Sequence, residues 1–228
     1  MDDWERTLAN MARIGIESRV RDTLLNLQRR FPLDQTLTVE VFPMDLADTF
    51  GRGKLGGVSG WTNWEETKIS LVVYPAPETL STFMATTVHE YHHHYRIMAM
   101  RNGHAHISLL ETIIREGLAE HFVADVLGDT FRGPFSKVLD ETEARTLWTE
   151  MYRARIFLRG EERTGPYQFG GGTSGFRCGR AILWDTISST GIAKSIRRFP
   201  YSISVVLMRG FLSPKSHSER RCHGLTIP

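Results

Sequence analysis

The stretch "TTVHEYHHHYR", residues 86–96, decides how this chain is read, because four histidines and a carboxylate fall within positions 89 to 94. Such a run is a set of metal ligands, a proton relay or a solvated polar face, and its spacing discriminates among them. On a helix successive residues turn by about 100°, so the side chains of 80–98 can be placed around the axis. Leu80, Met84, Val88, Tyr91, Tyr95 and Met98 then lie within about 80° of one another and form the stripe predicted to face a core. His89 and His93 fall at about 180° and 220° from Leu80 and share a face, whereas His92 falls at about 120° and His94 at about 320°. The spacing therefore predicts one pair and two bystanders, the bystanders reading as solvated surface residues.

Residues four apart on a helix have Cβ atoms about 5 to 6 Å apart, close enough for both imidazoles to reach one ion at about 2.0 to 2.1 Å. Residues 89–93 thus spell H-E-x-x-H. Glu90 points to a flank of the pair, where it can reach a water at the metal without ligating the ion itself. So short a motif also arises by chance, so the case needs a further ligand.

Zinc catalytic sites usually take three protein ligands, so another His, Asp or Glu is expected nearby. "SLLETIIREGLAEHFVADVLGD", residues 108–129, offers carboxylates for this. Ser108 and Glu111 have the spacing of a capping box that opens a helix. Leu109, Ile113, Glu116, Glu120, Val123 and Leu127 then share an arc of about 80°, which sets two carboxylates in an apolar stripe. An ionised carboxylate there costs several kcal/mol unless something neutralises it, and a zinc ion would do so. Ordinary ion pairs with Arg96 or Arg115 would also account for these carboxylates, and His104, His106 and His121 compete as ligands. Gly117 is expected to let another helix approach closely.

The rest of the chain bounds the reading. Its 228 residues suit one domain with a substantial core. At 41% hydrophobic and 24% charged residues, with a net charge of +2, it has ordinary globular composition and no strong field for nucleic acid. No apolar run approaches the roughly 20 residues of a membrane helix, and the acidic start "MDDWERTLAN" is unlike a signal peptide, so a cytoplasmic protein is expected. Cys178 and Cys222 lack the paired spacing of a structural zinc site. Any metal must be held by histidine and carboxylate.

Apolar periodicity predicts a helix over 2–30, ended before Pro32. "TLTVEVFPM" (36–44) and "KISLVVYP" (68–75) read as strands, with the glycine-punctuated segment between them giving an irregular edge strand over 55–62. Helices are expected over 77–101, 108–128, 138–158 and 175–198, with a glycine-rich connection at 163–175. The fold class is α+β: a small N-terminal β-sheet followed by a mainly helical active-site region. One domain is expected over residues 1–200, and 201–228 are expected to be a poorly ordered tail.

The combination of "HEYHH" with a downstream "EGLAE" resembles the gluzincin group of zinc metallopeptidases, in which the glutamate of an E-G-x-A stretch is the third ligand. With "GGVSGWT" ahead of the helix, residues 35–190 more specifically resemble the DUF2268 family of bacterial predicted Zn-dependent proteases. The resemblance implies a zincin-like active-site region, Zn2+ held by His89, His93 and Glu116, Glu90 as general base, and a peptide or protein substrate. It also implies an edge strand that binds extended substrate through main-chain hydrogen bonds, here carrying Gly57, Val58, Ser59 and Gly60. One departure stands out: where the family's helix after the glycine-rich loop begins with tyrosines, this chain has "GFRCGRAIL". Phe176 has no hydroxyl, which leaves Arg177, Arg180 and Tyr167 as candidate oxyanion donors and Glu120 as a residue that could orient a histidine ligand.

The chemistry expected is hydrolysis of a peptide bond by water that zinc acidifies and Glu90 deprotonates. Two rivals stand beside it: a degenerate peptidase-like binding module that holds metal without catalysis, and a zinc hydrolase of non-peptide amides or esters. A serine hydrolase is disfavoured, because "GGVSG" and "GGTSG" both miss the G-x-S-x-G spacing.

Overall fold

The computed structural model describes residues 3–63, 67–100, 107–133, 136, 139–169 and 224–227. The helix expected over 175–198, the cysteines and most of the tail lie outside them.

The first apolar repeat forms two helices where the sequence predicts one. α1 (Asp3–Arg13) and α2 (Ile16–Arg30) are separated at Gly15, whose φ of 71° is left-handed. Glycine adopts that conformation without a Cβ penalty, so it breaks a pattern that the flanking residues would carry through. Ile16, Val20, Leu24 and Leu27 of α2 are almost wholly buried. Their spacing of three and four puts them on one face, and each contributes about 1.5 to 3 kcal/mol by leaving water.

β1 (Leu37–Pro43), the short helix α3 (Thr49–Lys54), β2 (Val58–Asn63) and β3 (Lys68–Val73) follow. β1 runs parallel to β3, and β2 runs antiparallel to β3. Ile69, Leu71 and Val73 are fully buried while their neighbours Lys68, Ser70 and Val72 are not, the alternation of a strand with one face on a core. In the tail expected to be poorly ordered, residues 224–227 form β4 (Gly224–Ile227), antiparallel to β1. The sheet order is β2-β3-β1-β4, which leaves β2 at an edge.

A turn at Pro77–Thr79 leads into α4 (Leu80–Met100), the helix that carries the histidines. It packs against α2, β2, β3 and the next helix, α5 (Leu109–Leu127). Phe83, Val88 and Tyr91 anchor it in the main core with α2 and the sheet. The Tyr91 hydroxyl donates to the Phe31 carbonyl at 2.6 Å, tying α4 to the end of α2.

α5 starts at Ser108, whose hydroxyl accepts the Glu111 N–H, and ends at Gly128 with φ of 107°. Only half of the expected capping box is used, because the Glu111 carboxylate accepts from Arg96 of α4 at 2.6 Å. Beyond it, α6 (Glu141–Leu147) opens with a full capping box at Asp140 and Glu143 and runs on through a wider turn at Trp148–Tyr152. α7 (Glu161–Phe169) occupies part of the stretch expected to be a connection. These last segments close a second cluster around Leu109, Ile113 and Tyr152. The architecture is α+β, mainly helical with a small sheet.

Candidate metal centre

α4 presents different residues to each neighbour, and the helical phase explains which. His89, His92 and His93 turn toward α5, Glu90 turns toward β2, and Tyr91 turns toward α2.

On the α5 side, His89 Nε2 lies 3.4 Å and His93 Nε2 lies 3.6 Å from one atom, Glu116 Oε2. Two ligands held at about 2.0 to 2.1 Å in a tetrahedral site are about 3.4 Å apart, so these separations fit the edges of such a site. Glu116 Oε1 faces the Arg115 guanidinium at 3.3 Å. The second nitrogen of His89, Nδ1, is 2.8 Å from Glu120 Oε1, and Glu120 Oε2 accepts the Gly133 N–H at 2.7 Å. Of the explanations open for the carboxylates in the apolar stripe, Arg96 is engaged by Glu111 and Arg115 by Glu116, while Glu120 meets a histidine.

The electrostatics favour a cation. Burial works against charge on His89, yet the carboxylates of Glu116 and Glu120 facing its ring prevail and push its pKa up to about 10. Two nearly buried carboxylates converging on one imidazole thus draw positive charge into the centre, and a divalent ion bound by deprotonated His and Glu would supply it.

On the β2 side, Glu90 is 7% exposed. Its Oε2 accepts the Thr62 hydroxyl at 2.6 Å. A Cβ on Gly60 would lie 2.6 Å from Glu90 Cγ and 2.8 Å from Thr86 Cγ2, so only glycine lets α4 pack this closely on the strand. His89, Glu90 and His93 each offer a ligand atom, all within 4.8 Å of one another, and could hold a metal. The histidine pair therefore has a carboxylate on either side, Glu90 from its own helix and Glu116 from α5.

His92 and His94 depart from the expected solvated surface. His94 is fully buried, and its phase explains this: about 320° is only about 40° from the Leu80 stripe. Neither of its ring nitrogens has a hydrogen-bond partner among the described residues, and burial lowers its pKa. His92 packs on Phe122 of α5 with ring centroids 5.2 Å apart, and burial first, then neighbouring positive charge, lowers its pKa to about 3. Burial favours the neutral form of both, and neither faces a carboxylate at hydrogen-bonding distance among the described residues.

The other candidates divide. Gly57 is left-handed, with φ of 79°, and turns the chain into β2, where Val58, Ser59 and Gly60 pair with Val73, Val72 and Leu71. Tyr167 packs in the second cluster, edge to face with Tyr152, and its carbonyl accepts the Tyr152 hydroxyl. Arg177, Arg180, His104 and His106 lie outside the described residues, and His121 Nδ1 meets Arg132 at 3.3 Å. Sequence reasoning does not find Thr62. Its link to Glu90 spans 28 positions, and no periodicity within either segment reports such a contact.

A model of the family described as Predicted Zn-dependent protease (DUF2268) matches residues 16–198, and the chain belongs to that family. The match reaches back through α2, beyond the resemblance over 35–190. No curated protein and no solved structure matches the chain. No described helix is long and apolar enough to cross a membrane.

Proposed function

We propose that this chain is a zinc-dependent peptidase in which His89, His93 and Glu116 hold the ion and Glu90 is the general base. The observation that carries the reading is the convergence of both histidine Nε2 atoms on Glu116 Oε2, at separations suited to a tetrahedral site. A zinc ion bound there supplies Lewis acidity, polarising a carbonyl oxygen and making a nearby water a stronger acid.

The protein's own groups do the rest. Glu120 accepts from His89 Nδ1, fixing the tautomer that leaves the Nε2 lone pair free to ligate. Glu116 is held by Arg115 through its other oxygen, which keeps Oε2 turned to the histidines. Glu90, anchored from β2, takes a proton from the attacking water and later gives it to the leaving amine.

β2 favours a peptide over a small ester or amide. The Tyr74 N–H donates to the Gly57 carbonyl and the Met44 N–H to the Val73 carbonyl. By the alternation of an antiparallel ladder, Ser59, Trp61 and Asn63 therefore bond to β3, and the main-chain groups of Val58, Gly60 and Thr62 point away from it. An extended peptide laid along this edge would find donors and acceptors on Gly60 and Thr62, the two residues of β2 that touch Glu90.

The test is Glu90→Gln against a broad peptide library. The variant is expected to keep zinc and fold while losing about 10² to 10⁴ in rate, the usual contribution of a positioned proton acceptor. Wild-type rates from the variant would remove Glu90 from the chemistry.

A further inference from the structure

We infer that Thr62 is a positioning residue for Glu90, and that β2 sets the base and the bound peptide in a common register. The inference rests on the peptidase reading and extends it to a residue outside the metal-binding helices.

The Thr62 hydroxyl lies 2.6 Å from Glu90 Oε2 and 3.1 Å from the Glu90 carbonyl. It has one proton, and the shorter contact to a charged oxygen is where a hydroxyl donates most strongly. Glu90 is nearly buried, and its other oxygen lies against Gly60, where a Cβ would come within 2.8 Å of Oε1. The carboxylate is thus held from one side by a hydrogen bond and bounded on the other by a backbone with no side chain. Both restraints come from alternate residues of β2, whose side chains share a face.

Those same two residues turn their main-chain groups to the edge of the sheet that no described strand occupies. The proton acceptor and the line of donors and acceptors for an extended peptide are therefore carried by one rigid segment. Proton transfer needs the acceptor within hydrogen-bond reach of the water, so a carboxylate released to other rotamers spends less time in the productive geometry. Substrate affinity, which would use the main chain, does not depend on the hydroxyl.

The experiment compares Thr62→Val, which keeps the shape and removes the hydroxyl, with Thr62→Ser, which keeps the hydroxyl. Thr62→Val is expected to lower kcat by about tenfold or more with KM within about twofold, and Thr62→Ser to restore most of the loss. Combined with Glu90→Gln, Thr62→Val should lower kcat no further. A second readout needs neither metal nor substrate: a double-mutant cycle of Thr62→Val and Glu90→Ala on the unfolding of metal-free protein. Non-additive changes are expected if the two side chains are coupled, and strict additivity would overturn the inference. So would an active Thr62→Val enzyme with wild-type kcat. A wild-type protein that cleaves nothing would defeat the peptidase reading, and the unfolding cycle alone would then decide whether Thr62 holds Glu90.

Discussion

His89 and His93 on one hand, His92 and His94 on the other, sit within six residues of one helix, and burial does not tell them apart. His93 and His94 are both nearly or wholly buried, and His89 is only 12% exposed. The difference is in what faces them. Through their Nε2 atoms His89 and His93 converge on Glu116, and His89 also meets Glu120, whereas neither His92 nor His94 faces a carboxylate at hydrogen-bonding distance among the described residues. An unpartnered Nδ1 is common to His92, His93 and His94 and does not divide them. A metal centre is recognised by nitrogens and carboxylates aimed at a common point, and a buried imidazole without such company is a packing residue with a polar cost.

The sharpest way to break this comparison is to remove each pair in turn. The double substitution His89→Ala with His93→Ala should abolish zinc binding in metal analysis of purified protein, while His92→Ala should keep it. Zinc lost from a folded His92→Ala protein would reverse the assignment of the two sets.

A smaller effect is expected at Glu120, which would act on the metal only through its contact with His89. Glu120→Ala should weaken zinc affinity by about 10- to 100-fold without abolishing it, as measured by competition with a chelator. Unchanged affinity would make the Glu120 contact a tether for Gly133 alone.

The smallest effect is expected at His94. Replacing an unpartnered buried polar group by an apolar one of similar size is neutral or stabilising, so His94→Leu should leave zinc unchanged and raise stability by up to about 1 to 3 kcal/mol in urea unfolding. Marked destabilisation would show that His94 makes a hydrogen bond that its described surroundings do not contain.

These contrasts also separate what is legible in the amino-acid sequence from what is not. Helical phase places Glu116 and Glu120 in one apolar stripe and sets His89 beside His93, because periodicity within a helix fixes which side chains share a face. The same arithmetic holds the clue to His94, whose angle lies beside the core stripe, but grouping it with the other histidines hides that. Gly15 escapes notice as a helix break because apolar spacing continues on both sides of it, and a left-handed residue leaves no mark in that spacing. β2 is legible as an edge strand from its glycines, yet Gly60 serves first to admit the Glu90 side chain. The Thr62 contact and the pairing of residues 224–227 with β1 depend on how distant segments meet, which local pattern does not encode.

The central claim is that the carboxylate completing the metal site comes from α5 and that Glu90 stands outside the ligand set. Zinc content of Glu116→Ala and Glu90→Gln, purified and dialysed side by side, tests it most directly. The account predicts one zinc per chain retained by Glu90→Gln and zinc lost from a folded Glu116→Ala. Zinc retained by Glu116→Ala and lost from Glu90→Gln would contradict it, making Glu90 a ligand and leaving the proposed base without its role.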